Sequence, residues 1–298
     1  MSVRATLALP IVRACLWSAT TALTSAAMTL LVRWAADEMH PFQIAFLRSA
    51  FGALFMLPWL WHLGWEETRK INLRMYTLRS GIAFLSMLSW FYGVSYLPMA
   101  ESTALNFTTP LFATLGAALI LKETVRVRRW TATILGFIGV LIIVRPGTHD
   151  FNVASVSMIF SAITASFSVL IIKALTRTES PGSIVLFTFL FLTPMTLVPA
   201  LFVWQSPSWY VLGLTMGMGL IGSFGNFCTA RAFSLADASA VLPMDYLRMP
   251  VVAFVGFTAF GEVPDALVWT GAAIIAGSSL YIAHREAVLA SRARRSKP

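Results

Sequence analysis

Residues 21–41, TALTSAAMTLLVRWAADEMHP, recur 140 positions later as residues 161–181, SAITASFSVLIIKALTRTESP. Thr21 and Thr24 align with Ser161 and Thr164, so the match extends to polar positions. Each copy lies in an apolar run long enough to cross a membrane as a helix, which takes about 20 residues. The two stretches therefore predict a duplicated membrane-spanning unit.

The end of each unit repeats as well. Glu123 and the Trp130-Thr131 pair match Glu262 and the Trp269-Thr270 pair at an offset of 139. The repeat thus extends over most of the chain rather than over one pair of helices.

The composition indicates a lipid-embedded protein. Hydrophobic residues make up 57% of the 298 residues and charged residues only 12%, where a soluble domain carries about a quarter. Both cysteines, Cys15 and Cys228, lie inside apolar runs, so the sequence predicts neither a disulfide framework nor a zinc site. No metal and no cofactor are expected.

Apolar runs long enough to cross the bilayer occur ten times. They are continuously apolar rather than alternating, which predicts helices and not the strands of a membrane barrel. The first run follows Arg4 and Arg13, as the apolar part of a signal peptide would. It continues to Trp34, however, and has a counterpart in the second half, so we interpret it as a membrane span and not as a signal peptide. The predicted spans are 13–34, 42–62, 75–96, 101–121, 128–145, 152–174, 182–204, 209–232, 238–260 and 265–284.

The basic residues predict the orientation. The chain has a net charge of +9, and most of its 22 Lys and Arg residues lie at the termini and after spans two, four, six and eight. Positively charged loops stay in the cytoplasm, so both termini are expected there. The tail after residue 285 is predicted to bind anionic lipid rather than nucleic acid, through Arg292, Arg294, Arg295 and Lys297.

The parity of the repeat predicts inverted halves. Five spans are an odd number, so the second copy must enter the bilayer from the opposite face. Inverted repeats place a substrate site near the membrane midplane between the halves. We therefore predict an all-α integral membrane protein with ten transmembrane helices as two inverted five-helix repeats around a central cavity. The units are 1–148 and 149–285, followed by a basic cytoplasmic tail, 286–298.

These features resemble a known family. Each unit closes on a Glu, a Trp seven residues later and a final helix rich in small residues. This pattern is similar to the drug/metabolite transporter superfamily, specifically its EamA family, over residues 10–285 and most densely over 97–145 and 235–285. Size and aromatic content are similar to the bacterial YddG-type exporters of amino acids. The resemblance implies a multi-pass carrier in the bacterial cytoplasmic (inner) membrane that exports amino acids, including aromatic or other hydrophobic ones, by alternating access. Export of drugs or other metabolites is the alternative.

Spans four and nine carry the main candidate site. An ionisable residue at membrane depth is a functional hypothesis, and Asp245 and Arg248 share one face of span nine, with Tyr246 between them. At the repeat offset they correspond to Asn106 and Thr109 on span four. We predict a pocket between these spans. A purely structural pair of Asp245 with Arg248 is the alternative.

Prolines and glutamates near these spans are candidate hinges or gates. Pro110 and Pro250 each remove a backbone hydrogen bond and permit a kink. Glu123 and Glu262 end spans four and nine, where a helix cap or loop brace competes with a gating role.

The remaining candidates lie on other spans. Arg48 could bind a substrate carboxylate or extend outward to the interface; its repeat counterpart is Thr188. Trp90 and Tyr92 on span three are candidates for an aromatic wall, although packing is their commoner role. Polar residues of spans one, three and eight complete the predicted set: Thr21, Thr24, Ser86, Ser89, Ser223 and Asn226.

Other functional classes lack their motifs. The chain has no H-E-x-x-H, no G-x-S-x-G and no P-loop, which argues against an intramembrane enzyme and a primary pump. A selectivity filter is also missing, which argues against a channel. We expect no catalytic residues, a small-molecule substrate and the lipid bilayer as partners, and a monomer or a homodimer. The close approach of Gly136 and Gly139 could serve internal packing or a dimer contact.

Overall fold

A computed structural model describes residues 3–62, 73–109, 111–112, 127–144, 152–235 and 242–295. Within those ranges all regular secondary structure is helical, with a 3-10 helix at Leu242–Leu247, ten α-helices in the order of the ten predicted runs, and further helical residues at 109 and 111–112. They are α1 Val3–Ala36, α2 Pro41–His62, α3 Leu73–Tyr96, α4 Met99–Asn106, α5 Val127–Val144, α6 Val153–Leu175, α7 Pro181–Phe202, α8 Trp209–Leu235, α9 Arg248–Phe260 and α10 Ala266–Arg295.

The helix ends differ from the apolar runs at several places. α4 ends at Asn106 and is followed by a turn at 107–108, after which residues 109 and 111–112 are helical again; the rest of the run predicted to residue 121 lies outside the described residues. α10 continues to Arg295, so most of the predicted basic tail is helical. That extension follows from Ala, Glu, Leu and Arg, which are strong helix formers whether or not lipid surrounds them.

Five of the described helices are long and apolar enough to cross a membrane: α1, α2, α6, α7 and α8. Shorter apolar stretches lie in α5, α9 and α10. The other predicted spans stay predictions.

The helices pack in a pattern that follows the repeat. α1 packs mainly on α8, and α3 packs on α6; these pairs correspond because α1 matches α6 and α3 matches α8. α2 packs on α7, α4 on α9 and α5 on α10, so each of these pairs joins a helix to its own counterpart. The main pairings therefore stay the same when each helix of the first half is exchanged for its repeat counterpart in the second half, α1 for α6, α2 for α7 and so on.

Specific contacts show that these facing helices run antiparallel. Ser161 on α6 exchanges hydrogen bonds with Ser86 on α3. Ser157, one turn earlier on α6, donates to the carbonyl of Ser89, later on α3. The same reversal of numbering occurs between α2 and α7 and between α5 and α10, through the contacts Gly52 with Phe189, Trp59 with Gly182, Gly136 with Ser278, and Gly139 with Gly271.

The backbones of α5 and α10 approach closely at two glycines. A Cβ atom built on Gly139 would lie 2.9 Å from the carbonyl oxygen of Gly271, and one built on Gly271 would lie 2.7 Å from the carbonyl oxygen of Gly139. Small residues allow this approach in helix bundles. Gly136 and Gly139 thus serve packing between the two halves within one chain.

Hydrophobic packing fills one end of the bundle, where α1 ends and α2 begins. We call this the α1–α2 end and the opposite one, around Leu175–Pro181, the α6–α7 end. The largest buried cluster lies at the α1–α2 end and includes Val32, Ile44 and Val94. Gln43 on α2 also exchanges two hydrogen bonds with the backbone of Gln205, at 2.6 and 3.0 Å.

Candidate functional site

A cavity of about 350 Å³ lies at the centre of the described bundle. Its lining residues come from α1, α2, α3, α4, α6, α7, α8 and α9, so both halves of the repeat contribute. Its size is at the lower end of the range typical of pockets for organic ligands, about 300–1,000 Å³. The cavity therefore lies between the two halves of the repeat.

The cavity lies nearer the α6–α7 end. Its lining on α6 extends from Ser161 to Ile172 and its lining on α8 from Ile221 to Thr229, in the later parts of both helices. The hydrophobic cluster occupies the other end. One end of the bundle is thus packed, and the polar space lies towards the other.

The start of α9 contacts the end of α4, where the sequence predicts a pocket between spans four and nine. Arg248, the first residue of α9, is buried and donates from Nη2 to Oδ1 of Asn106 at 2.7 Å. Its second partner is Asp245, whose Oδ2 lies 3.4 Å from Nη2. The guanidinium carbon also lies 5.0 Å from the ring centre of Phe107. A cation at the carboxyl end of α4 is favourable because the carbonyl groups there carry partial negative charge.

The predicted pocket between these two spans differs in detail. Asn106 and Arg248 both line the central cavity and bond to each other, and the cavity that they line is shared with six other helices. Asp245 is not among the lining residues, and its side chain is 37% exposed. Thr109 is also off the cavity wall and donates its hydroxyl to the carbonyl of Asn106. The side chain of Tyr246 lies outside the described residues.

Pro250 marks a change of helix type. It lies in the first turn of α9, directly after the 3-10 helix Leu242–Leu247. Proline lacks an N–H group, and its ring clashes with the carbonyl four residues earlier, so an α-helix cannot continue backward through it without distortion. The predicted kink is therefore a junction between helix types at Leu247. Pro110 lies outside the described residues.

Arg48 faces the interior of the bundle. It lines the cavity from α2, and its Nη1 lies 3.1 Å from the sulfur of Met87. The guanidinium carbon is 5.2 Å from the ring centre of Phe189. A Cβ atom on Gly222 would lie 2.7 Å from its Nη2, so this glycine leaves the space that the guanidinium occupies. Outward extension of Arg48 to the interface is not what the contacts show.

Arg79 is a cavity residue that the sequence analysis missed, because it was grouped with the basic residues that flank the loop. It is only 4% exposed, lines the cavity and donates from Nη1 to the hydroxyl of Thr188. Arg79 is the seventh residue of α3, which places it about 9 Å along the helix axis from the first residue. The spacing to Ser86 and Trp90, which share its helix face, was a signal that could have found it.

Polar and aromatic groups complete the wall. Thr21 and Thr24 line it, and Thr229 donates to the hydroxyl of Thr21 at 3.3 Å. Trp90 lines it, whereas Tyr92 does not and packs on Tyr96 with ring centres 4.8 Å apart. Tyr92 is two positions from Trp90, which in a helix means a different face.

Glu262 joins three elements at the α1–α2 end. Its Oε2 accepts from the backbone N–H of Met99 at 2.7 Å, and its Oε1 lies 3.0 Å from Nη2 of Arg33. Arg33 also donates to the carbonyl of Ser95 at 2.8 Å. Pro98 precedes α4 and forms no side-chain cap, so Glu262 supplies the cap from a distant part of the chain. We call this group, Arg33, Ser95, Met99 and Glu262, the Glu262 clamp. Glu123 lies outside the described residues.

Comparison with known proteins identifies the family. The EamA-like transporter family matches residues 12–145. A riboflavin transporter of Vibrio cholerae is 34% identical over 285 residues, which cover 94% of this chain and 95% of that protein. The chain belongs to the EamA-like transporter family. It is therefore a transporter of small metabolites within the drug/metabolite transporter superfamily.

Other relatives share nearly the whole length. An S-adenosylmethionine uptake transporter of Rickettsia prowazekii is 31% identical, over 91% of this chain and 92% of that protein. A pseudopaline exporter of Pseudomonas aeruginosa is 28% identical, over 85% and 89%. A solved crystal structure has the same fold, with a TM-score of 0.63 at 16% identity over 96% of this chain and 99% of that one. The named relatives are bacterial transporters, which fits a multi-pass inner-membrane protein, but these names do not support export of amino acids in particular.

Proposed function

We propose that this EamA-like transporter carries an organic metabolite through the central cavity by alternating access between two inverted five-helix halves, 1–148 and 149–285. The observation that carries the proposal is that one cavity is lined from both halves, by α1 to α4 and by α6 to α9. The exchange of helix pairings under the repeat and their antiparallel directions support inversion. Ten spans with both termini in the cytoplasm are part of this proposal.

Equivalent contacts at the two ends also support inversion. Arg33 donates to the carbonyl of Ser95 at the α1–α2 end, at 2.8 Å. Its repeat counterpart, Lys173, donates to the carbonyl of Phe233 at the α6–α7 end, also at 2.8 Å. Related contacts at opposite ends are what two inverted copies of one unit would form.

The packed end gives the state of the carrier. The hydrophobic cluster, the Gln43 hydrogen bonds and the Glu262 clamp all lie at the α1–α2 end. The positive charges of the loops favour a cytoplasmic position for the opposite end. We therefore assign this structure to a conformation closed towards the outside, with the cavity nearer the cytoplasm.

The cavity wall favours a metabolite with a flat ring system. Trp90, Phe91 and Phe189 offer aromatic surfaces, and the threonine and serine hydroxyls around them can bond ring substituents. Riboflavin and S-adenosylmethionine, which name the relatives, both contain heterocyclic rings. An alternating-access carrier can expose its site to either face, so both uptake and export are open to the same protein.

Reconstitution tests the proposal. Liposomes that contain the purified protein are loaded with unlabelled riboflavin, S-adenosylmethionine or tryptophan. Entry of the same solute, in labelled form, is then measured. We expect at least one solute to enter faster than it enters liposomes that lack the protein, and we expect Trp90→Ala to reduce that rate. Trp209→Ala is the matched control, because Trp209 is 90% exposed and does not line the cavity.

The outcomes separate the alternatives. Entry of tryptophan alone would favour the amino-acid function that the resemblance implies. No entry above empty liposomes for any of the three solutes would refute the proposal.

A further inference from the structure

The central cavity has more positive charge than its described walls neutralise. Its charged lining residues are Arg48, Arg79 and Arg248, and no described lining residue is an aspartate or glutamate. Arg248 is compensated, because Asp245 lies 3.4 Å away. Among the described residues, neither Arg48 nor Arg79 has a carboxylate oxygen within 4 Å. Two guanidinium charges therefore remain without a counter-charge.

Both of these guanidinium groups also have unused donors. An arginine offers five N–H donors. Arg79 is 4% exposed and uses Nη1 on Thr188, while Arg48 uses Nη1 on the sulfur of Met87, a weak acceptor. The Nε atoms of both are buried and lack a partner in the described part of the chain. Buried charge without paired donors is costly, which favours a ligand that supplies acceptors.

The two guanidinium groups contact consecutive residues of α7 on the cavity wall. Arg79 bonds to Thr188, and Arg48 lies over the ring of the next residue, Phe189. They approach α7 from different helices, α3 and α2. Thr188 does not need Arg79 as a partner, because its hydroxyl also donates to the carbonyl of Ile184. The bond between them therefore leaves Arg79 available to a ligand.

We propose that Arg48 and Arg79 form an oxyanion subsite, so that the transported metabolite carries a carboxylate or phosphate. Guanidinium groups bind both through paired N–H donors, and the ligand supplies the missing negative charge. This inference rests on the proposed transport function and adds the charge of the substrate to it. The rings of the metabolite then lie on the aromatic wall, with the anionic group beside α7.

Binding to purified protein tests the subsite without requiring transport. The probes are two matched pairs: indole-3-acetate with indole-3-acetamide, and riboflavin 5′-phosphate with riboflavin. We expect the anion of at least one pair to bind at least tenfold more tightly than its neutral analogue, as measured by intrinsic fluorescence or by stabilisation against heat. The pair that discriminates tells whether the carboxylate or the phosphate is recognised. Equal affinities within both pairs, or no binding of either anion, would overturn the inference.

Variants distinguish a binding role from a structural one. Arg79→Gln should lower the affinity for the preferred anion at least tenfold, and Arg79→Lys should restore part of it. Arg74→Gln is the control, because this substitution removes the same charge from an exposed position on the same helix. The unliganded Arg79→Gln protein should melt no lower than the wild type, since it loses an uncompensated buried charge. Unchanged anion binding, or a melting temperature well below wild type, would refute the subsite.

The test is separable from the transport experiment. Anion selectivity in binding without any solute flux would leave the subsite standing and refute the carrier. Flux of a neutral ring compound with no loss in Arg79→Gln would leave the carrier standing and refute the subsite.

Discussion

The Glu262 clamp predicts how the α1–α2 end opens. Replacing Glu262 by Ala removes a charged acceptor from the N–H of Met99, which is worth about 1.5–3 kcal/mol. It also removes the ion pair with Arg33, which adds about 0.2–1 kcal/mol because both side chains are partly exposed. The closed state should lose about 2–4 kcal/mol. If the clamp is broken in the outward-open state, the lower value shifts the equilibrium roughly 30-fold, at a factor of ten per 1.4 kcal/mol.

Cysteine labelling measures this shift. Val94 is 1% exposed within the hydrophobic cluster, so Val94→Cys reports opening of that end. With Cys15 and Cys228 replaced by Ser, a membrane-impermeant maleimide should react with this cysteine roughly 30-fold faster in Glu262→Ala than in the parent. Glu262→Gln should give a smaller increase, because its amide oxygen still accepts from the N–H of Met99.

A second carboxylate at the same end is the control. Glu38 accepts from the hydroxyl of Ser208 at 2.7 Å, but the contact is exposed, and its loss should change labelling by less than about twofold. If Glu262→Ala melts at a lower temperature while labelling stays at the parental rate, the clamp is only a helix cap, and its role in closing this end is refuted.

Three further predictions concern packing, charge and pH. Gly271→Ala should lower the free energy of unfolding by about 1–3 kcal/mol, because its Cβ would collide with a carbonyl of α5. Gly213→Ala should not lower it, because nothing lies within 4 Å of a Cβ atom there. Equal melting temperatures of the two variants in detergent would contradict the close approach. Asn106→Ala should cost about 1.5–3 kcal/mol, since Arg248 loses its charged hydrogen bond, and an unchanged melting temperature would show that the bond contributes nothing. Burial lowers the pKa of His40, so the unfolded chain binds more protons and stability should fall as the pH drops below about 6.5; a melting temperature with the same pH dependence in His40→Asn would contradict this.

The arginines show which parts of the site the sequence could reveal. Arg48 and Arg248 were found because an ionisable residue inside an apolar run is costly and conspicuous. Arg79 was not, since it lies close enough to the start of α3 to pass for a residue of the charged loop. Tyr92 was expected on the same aromatic wall as Trp90, but its ring packs on Tyr96 and does not line the cavity. Residues two positions apart lie on different faces of a helix.

Contacts between distant segments were beyond the sequence altogether. Glu262 was predicted to cap a helix or brace a loop, yet the helix it caps, α4, begins 163 positions earlier at Met99. The repeat aligns Glu262 with Glu123 but does not say which backbone N–H it meets. Such a partner depends on how the helices pack, which no local pattern encodes.

The sequence by itself determined the helical class, the order of the ten helices and the duplication. These properties are local or follow from direct comparison of two stretches such as 21–41 and 161–181, because a helix in lipid satisfies its own backbone hydrogen bonds. Only the tertiary structure decided which polar groups share the cavity and which end is packed. In lipid the outer face of a helix is as apolar as its buried face, so apolar residues do not reveal the rotation of a helix about its axis, and only the packed neighbours define it.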